Sequence, residues 1–304
     1  MRLLAPVVAV ALLGVAATTG CGRTGAVSGL SPAQAVQEAA TKFGGQSLKF
    51  DLTGKITVDS SKVRGDAQSL DQLKSLGSGV TLSGHGEEEN PQRVELVMTV
   101  NPGLDKPATV IGYDGNAYVA LDGTHFADAG SVRAVTGGFG VTPGDVSNYL
   151  SNLGNVQDKG AEKMDGLDTE HYQVTLDQSF LSKALSQASQ GQSPNPFAGF
   201  IEQLIQFTGG TIDAWVNQAD GSLDRTRIAV ALGFDLDKLG QVFGGLGQGS
   251  STPSGGTPGG SLGISLNVDL HPHDYGASVS ITKPTVDPNA PKLPGGLNLF
   301  GQGA

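Results

Sequence analysis

One cysteine in 304 residues rules out any disulfide within the chain, so an exported domain of this size is held by its core rather than by covalent staples. Basic side chains are also scarce: 19 Lys and Arg stand against 29 Asp and Glu, for a formal net charge of -10. Nowhere do the basic residues cluster. Phosphate neutralisation needs grouped cations, which excludes nucleic acid as a partner. The same acidity argues against a domain that lies flat on anionic lipid.

Catalytic spellings are missing too. There is no G-x-S-x-G elbow, no phosphate-cradling G-x-x-x-x-G-K and no H-E-x-x-H. Ser280-Ile281-Thr282-Lys283 spells S-x-x-K, but the segment reads as a strand ahead of Pro284, so its Ser and Lys do not share a helix face. His271-Pro272-His273 sets two imidazoles on one side of an extended chain; with no third ligand visible, a surface turn is the expected reading. Glu87-Glu88-Glu89 beside Asn90-Pro91 reads as a charged turn of a solvent-facing hairpin rather than a Ca²⁺ site. His85, His125 and His171 stand alone. The expectation is a protein with no cofactor, no metal and no catalysis.

What is present begins at the N-terminus. Met1-Arg2 carries one positive charge, Leu3 to Ala17 is almost unbroken apolar sequence, and Thr18-Thr19-Gly20-Cys21 follows. That is the layout of a secretory signal, and the apolar run is too short to remain as a finished transmembrane helix. A small residue ahead of the chain's sole cysteine resembles the bacterial lipobox, in which the cysteine becomes a diacylated N-terminus. Thr18 departs from the Leu that this pattern prefers, and ordinary cleavage leaving Cys21 as a free thiol is the alternative. Two acyl chains would anchor the protein stably at the extracytoplasmic face of the cell membrane. The tether Gly22 to Leu30 reaches up to about 30 Å at ~3.3 Å per residue.

Beyond the tether, alternation dominates. Leu48, Phe50, Leu52, Ile56 and Val58 share one parity, and Lys49, Asp51, Thr53, Lys55 and Thr57 take the other, as in a strand with one wet face. The pattern recurs at Val94 to Val100, Tyr172 to Leu176, Ile228 to Leu232 and Ile264 to Leu270, and such strands belong to antiparallel sheets. Asp114-Gly115 between two apolar runs is a hairpin signal, Asp220-Gly221 marks a longer connection, and Lys163 to Gly166 divides its flanks. In all, about eleven strands in meander order are expected.

Amphipathic helices interrupt the meander. Ser31-Pro32-Ala33-Gln34 is a capping-box start, with Val36, Ala39, Ala40 and Phe43 on one face and Gly44-Gly45 as a stop. A second helix opens at Thr142-Pro143 and aligns Val146, Tyr149, Leu150 and Leu153. A third, from Gln178 to Gln190, carries Phe180, Leu181, Ala184 and Leu185. A fourth, from Asn195, carries Phe197, Phe200, Ile201, Leu204 and Ile205 before Gly209-Gly210. Shorter helical candidates lie at 67–76 and 236–243. Residues 244–260 read as an exposed Gly/Ser/Pro loop and 287–304 as a mostly disordered Pro/Gly tail, leaving 32–286 as a single α+β domain after signal 1–20 and tether 21–31.

A sheet of eleven strands at ~4.8 Å each spans about 50 Å, whereas four helices about 10 Å wide cover roughly 40 Å of it. Open sheets of this width curl. An apolar face that is concave and incompletely filled would leave a cavity; tight packing of helices on the sheet is the alternative.

The leading helix, the alternating strand Ser47 to Val58, the hairpin Ile111 to Val119, the helix Asp145 to Leu153, and Gly166 to Tyr172 followed by Ala214-Trp215-Val216 resemble the LppX/LprG family of actinobacterial envelope lipoproteins, and more distantly the LolA/LolB-type carrier fold. The similarity covers roughly Pro32 to Pro284. The chain departs from it by added length at Asp59 to Gly79, Gln187 to Phe207 and Gly244 to Gly260. The resemblance implies a half-barrel with helices on its concave side, holding the acyl chains of a lipid or glycolipid, with an envelope transporter as a further partner. On that basis Phe50, Leu52, Leu96, Met98, Tyr149, Leu153, Phe180, Leu185, Phe200, Leu204 and Trp215 are expected to line the cavity, and Gly191 to Asn195 to gate it. A non-catalytic adaptor that binds another envelope protein is the competing function.

Overall fold

The computed structural model describes residues 25–65, 79–131, 146–147, 150, 155–179, 205–238 and 259–291. Its centre is a single antiparallel sheet of 11 strands, so the expected α+β class with one large antiparallel sheet is observed. In chain order the strands are β1 (Leu48–Arg64), β2 (Val80–Asn90), β3 (Arg93–Asn101), β4 (Ala108–Tyr113), β5 (Asn116–Ala120), β6 (Ala127–Ser131), β7 (Val156–Met164), β8 (Leu167–Thr175), β9 (Ile205–Asn217), β10 (Leu223–Asp235) and β11 (Gly259–His273).

Their spatial order is β6-β5-β4-β3-β2-β1-β11-β10-β9-β8-β7. Two meanders therefore grow outward from the centre, and β1 pairs with β11 from Lys49↔His273 to Arg64↔Gly259 to join them. The chain passes from one edge of the sheet to the other between β6 and β7. That passage includes Val146, Ser147 and Leu150, which are helical. Val146 and Leu150 are buried in the main core, and the Ser147 hydroxyl donates to the Ala40 carbonyl at 2.6 Å.

Ala40 belongs to helix α1 (Pro32–Gly44), which starts as the capping box requires: Ser31 Oγ accepts from the Gln34 amide, and the Gln34 side chain accepts from the Ser31 amide. Its buried face, Ala35, Val36, Ala39, Ala40 and Phe43, packs on the sheet at β7, β9 and β10. The tight hairpins follow their sequence signals. Asp114 and Gly115 both take positive φ, 49° and 86°, as do Asp165 and Gly166 at 50° and 87°. This is the conformation that a two-residue turn needs to match strand twist.

The two faces of the sheet differ. On one, Leu48, Phe50, Leu52, Leu96, Tyr172, Val174, Ile212, Ala214, Val216, Val230, Val268 and Leu270 form a continuous core with α1. On the other, the back, a smaller cluster of Ile111, Tyr118 and Ile281 lies under the C-terminal segment that follows β11. There the Ile281 amide donates to Glu89 Oε2 at 3.1 Å, and Phe126 bridges to Val286.

Several expectations are corrected. Ile205 does not close a fourth helix before Gly209-Gly210 but opens β9, which runs through both glycines. Gly209 sits at a register irregularity opposite Ala231/Leu232, where a residue without Cβ accommodates the bulge. Ser280 to Lys283 is not a strand but irregular chain over the back face. His271 to His273 is no surface turn; it lies inside β11, with Pro272 opposite Phe50. Glu88 is not solvated but buried on the core face, between Leu48 and Val94 in register. The third helix is described only at Gln178 and Ser179, both helical, and the candidate at 67–76 and most of the fourth helix fall outside the described residues.

Close packing on the core face depends on Gly86. A Cβ there would sit 2.3 Å from Phe50 Cζ and 2.5 Å from the Glu95 carbonyl oxygen, and neither backbone nor ring can yield cheaply. Gly86→Ala is expected to destabilise the fold by ~1–3 kcal/mol through overpacking, read as a lower urea midpoint with unchanged slope.

Candidate ligand-binding face

Burial on the core face varies along the four long strands. At the α1 end Phe50 is 1% exposed and Leu52 3%. Further along β1, Ile56 and Val58 keep the same parity but are half-buried, and so are Ile264 and Leu266 of β11, Leu232 and Phe234 of β10, and Phe207 of β9. Register aligns them in rows: Val58 faces Ile264, Ile264 faces Leu232, and Leu232 faces Phe207. At ~3.3 Å per residue the strip from Phe50 to Val58 is about 26 Å long. Its middle is half-buried between two closed ends, because Ile205, opposite Phe234, and Val63, opposite Gly260, are again only 5% and 8% exposed.

Of the side chains expected to line a cavity, Phe50, Leu52 and Leu96 lie at the closed α1 end, Leu96 being 8% exposed, and Met98 is half-buried at its border. Tyr149, Leu153, Phe180, Leu185, Phe200, Leu204, the gate residues 191–195 and Cys21 lie outside the described residues. A shallow recess of about 140 Å³ opens beside α1, between Val27, Leu30, Ala35 and Lys42. It is the size of a few waters rather than of an acyl chain.

Trp215 is not part of this face. It alternates with Ala214 and Val216, which are in the core, and so points to the back of the sheet. It is nonetheless only 4% exposed, because polar neighbours enclose it. The His171 ring stacks on it at 4.5 Å and 14°, its indole N–H donates to Glu162, and the guanidinium groups of Arg227 and Arg225 lie 5.5 and 5.9 Å from its ring. An indole between a stacked imidazole and two cations is held by π-face electrostatics rather than by apolar packing. The signal was in the sequence: Trp215 shares parity with Asp213, whereas the apolar Ile212, Ala214 and Val216 take the other.

Asp213 organises the same patch, accepting from the Gln173 amide at 2.8 Å, with His171 Nε2 at 2.9 Å. The other ring nitrogen of His171 lies 3.5 Å from Glu162. Both imidazole nitrogens thus face carboxylates. Next to this patch Asp269 takes two hydrogen bonds from Arg225, at 2.7 and 2.6 Å, and two from Arg227. Burial works against the Asp269 charge, but the two guanidinium groups outweigh it and hold the carboxyl below its ordinary value.

No protein-family model matches the sequence, and no curated protein matches it. Among solved structures, lipoprotein LppX of Mycobacterium tuberculosis is 15% identical, with 83% of this chain and 98% of that chain covered and a TM-score of 0.43. LprF from Mycobacterium bovis is 14% identical over 83% and 96%, at a TM-score of 0.40. A LolA-superfamily protein from Nitrosomonas europaea is 11% identical over 81% and 95%, at 0.28. These are the two groups that the sequence pattern resembles.

The lowered pKa of Asp269 has a sign. A carboxyl depressed in the folded state adds stability that is complete above its unfolded pKa near 4 and is lost as pH falls through the lower folded value. Asp269→Asn should therefore cost ~1–3 kcal/mol at pH 7, and the gap between wild type and variant should narrow steadily below about pH 4 in urea titrations run at a series of pH values.

Proposed function

We propose that this protein is a membrane-tethered lipoprotein that binds the acyl chains of a lipid or glycolipid on its concave apolar face, for transfer or presentation at the cell envelope. The observation that carries the reading is the half-buried apolar strip of Ile56, Val58, Leu232, Phe234, Ile264 and Leu266, continuous with the closed core at Phe50 and Leu52. Side chains of a finished core end at full burial. These stop short of it, in rows, between buried residues at both ends, Phe50 and Leu52 on one side and Val63 and Ile205 on the other, on the face that turns away from the charged back.

An acyl chain gains ~0.8 kcal/mol for each methylene it removes from water, and a strip some 26 Å long at strand spacing offers room for many methylenes. The chemistry needed is enclosure and no bond-breaking. Anchoring through diacylated Cys21 would keep the carrier within a tether's length of the bilayer that supplies its cargo. Transfer to or from an envelope transporter fits a module whose charged back face stays clear of the cargo.

Two measurements test this. The purified full chain should carry co-purifying lipid in native mass spectrometry, and Leu266→Trp should remove that lipid with little change in stability, because the bulk enters a half-filled space. Leu96→Trp, at the closed α1 end, should instead cost ~1–3 kcal/mol by overpacking. A protein that emerges empty, with both substitutions equally destabilising, would favour the adaptor. Separately, Cys21→Ser should shift the protein from the membrane fraction to a detergent-independent soluble or unprocessed form; unchanged membrane retention of a processed chain would refute the acyl anchor.

A further inference from the structure

Asp224 interrupts the alternation of β10. The β9–β10 register shifts between Leu223 and Arg225, and the irregularity turns Asp224 into the protein, where it is 7% exposed and its Oδ2 finds no hydrogen-bond partner. A buried carboxylate oxygen without a donor is costly, and a bound ion is one way to satisfy it. Two other groups converge on it. Asp165 stands on the two-residue turn between β7 and β8, and His271 near the end of β11; among the described residues, ligand-type atoms of Asp165, Asp224 and His271 all lie within 4.8 Å of one another.

Local electrostatics leaves the cluster short of positive charge. Burial pushes the Asp224 carboxyl up, and the charges of Asp165 and Asp220 add to the shift while those of His271 and Arg225 oppose it. The guanidinium of Arg225, the adjacent residue, is committed to Asp269 by its two short hydrogen bonds. The hydroxyl of Tyr275, whose ionisation burial and the charges of Asp224 and Asp220 both disfavour, donates to the Leu223 carbonyl instead.

We propose that Asp165, Asp224 and His271 form a binding site for a divalent cation of the Zn²⁺ type. Two carboxylates match its charge, and an imidazole nitrogen selects a borderline transition-metal ion over Mg²⁺ or Ca²⁺, which take oxygen ligands. Bonds of about 2.1 Å in a tetrahedron put ligand atoms about 3.4 Å apart. Asp165 is exposed on its turn and is the ligand able to close the remaining distance, with water in the fourth position. The bound ion ties the outer β7–β8 hairpin to the central strands β10 and β11. His271 shares parity with Asp269, on the back of the sheet, so the ion does not compete with a ligand on the apolar face. The site stands independently of the lipid reading.

The test uses the full chain carrying Cys21→Ser, which removes its one thiol, stripped of metal and held in detergent. Calorimetric titration with Zn²⁺ should give one ion per chain, and Co²⁺ should develop a visible absorption band at the same stoichiometry. Asp224→Asn and His271→Gln should each weaken binding about tenfold or more. His273→Ala, whose ring lies 6.4 Å from His271 but outside the cluster, should leave it unchanged. Circular dichroism identifies any variant that has not folded, and His271→Gln, at a half-buried position, keeps the test decisive should Asp224→Asn fail to fold. Absence of stoichiometric Zn²⁺ binding, equal affinity in wild type and His271→Gln, or a loss with His273→Ala as large as with His271→Gln overturns the proposal.

Discussion

The pairing of β1 with β11 is the contact on which the rest of the molecule depends. These strands lie at opposite ends of the folded chain, and their ladder, Lys49↔His273 through Arg64↔Gly259, joins two meanders that would otherwise be separate sheets. Closing so long a loop is entropically expensive. It is offset by a ladder along most of both strands and by the apolar row of Phe50, Leu52, Val268 and Leu270, which shares one core with the buried face of α1. Because antiparallel partners share a face, the same ladder carries parity across the seam. Every even-numbered apolar residue of β1 and β11 falls on the core side, and Asp51, Asp269, His271 and His273 fall on the back.

From that seam the two faces take different physical roles. The front is mainly apolar, with Glu88 enclosed in it, and passes from complete burial near Phe43 and Phe50 to partial burial near Val58 and Phe234 before closing again at Val63 and Ile205. The back is a charged surface stabilised by paired groups: Asp269 with Arg225 and Arg227, Asp213 with His171, and the indole of Trp215 among them. Such pairs satisfy one another's charge, which offsets the cost of burying them on the back of the sheet. Toward β4 and β5 the back is covered differently, by the segment after β11, whose Ile281 packs on Tyr118 and Ile111.

Much of the fold was legible because alternation and turn chemistry are local. The parity of Leu48 to Val58, the Asp114-Gly115 turn and the capping box at Ser31 each appear where the sequence puts them. Glycine was the ambiguous signal. Gly209-Gly210 reads as a helix stop, yet within β9 it serves a bulge, a distinction set by the partner strand and not by the local sequence. Trp215 was assigned to the apolar face for being large and aromatic, although its parity with Asp213 gave its true side. The proximity of Asp165 and Asp224 to His271 was not legible at all, since the three come from a turn, a bulge and a strand far apart in sequence.

The central claim is that hydrocarbon occupies the half-buried strip on the front of the sheet. Crystals grown with a fatty acid brominated along its chain test it most directly through the anomalous scattering of bromine. The account predicts peaks against Val58, Ile264 and Leu232, on the core side of the sheet. Bromine located only on the back face, or no ordered bromine while protein side chains pack fully against those three residues, would contradict it.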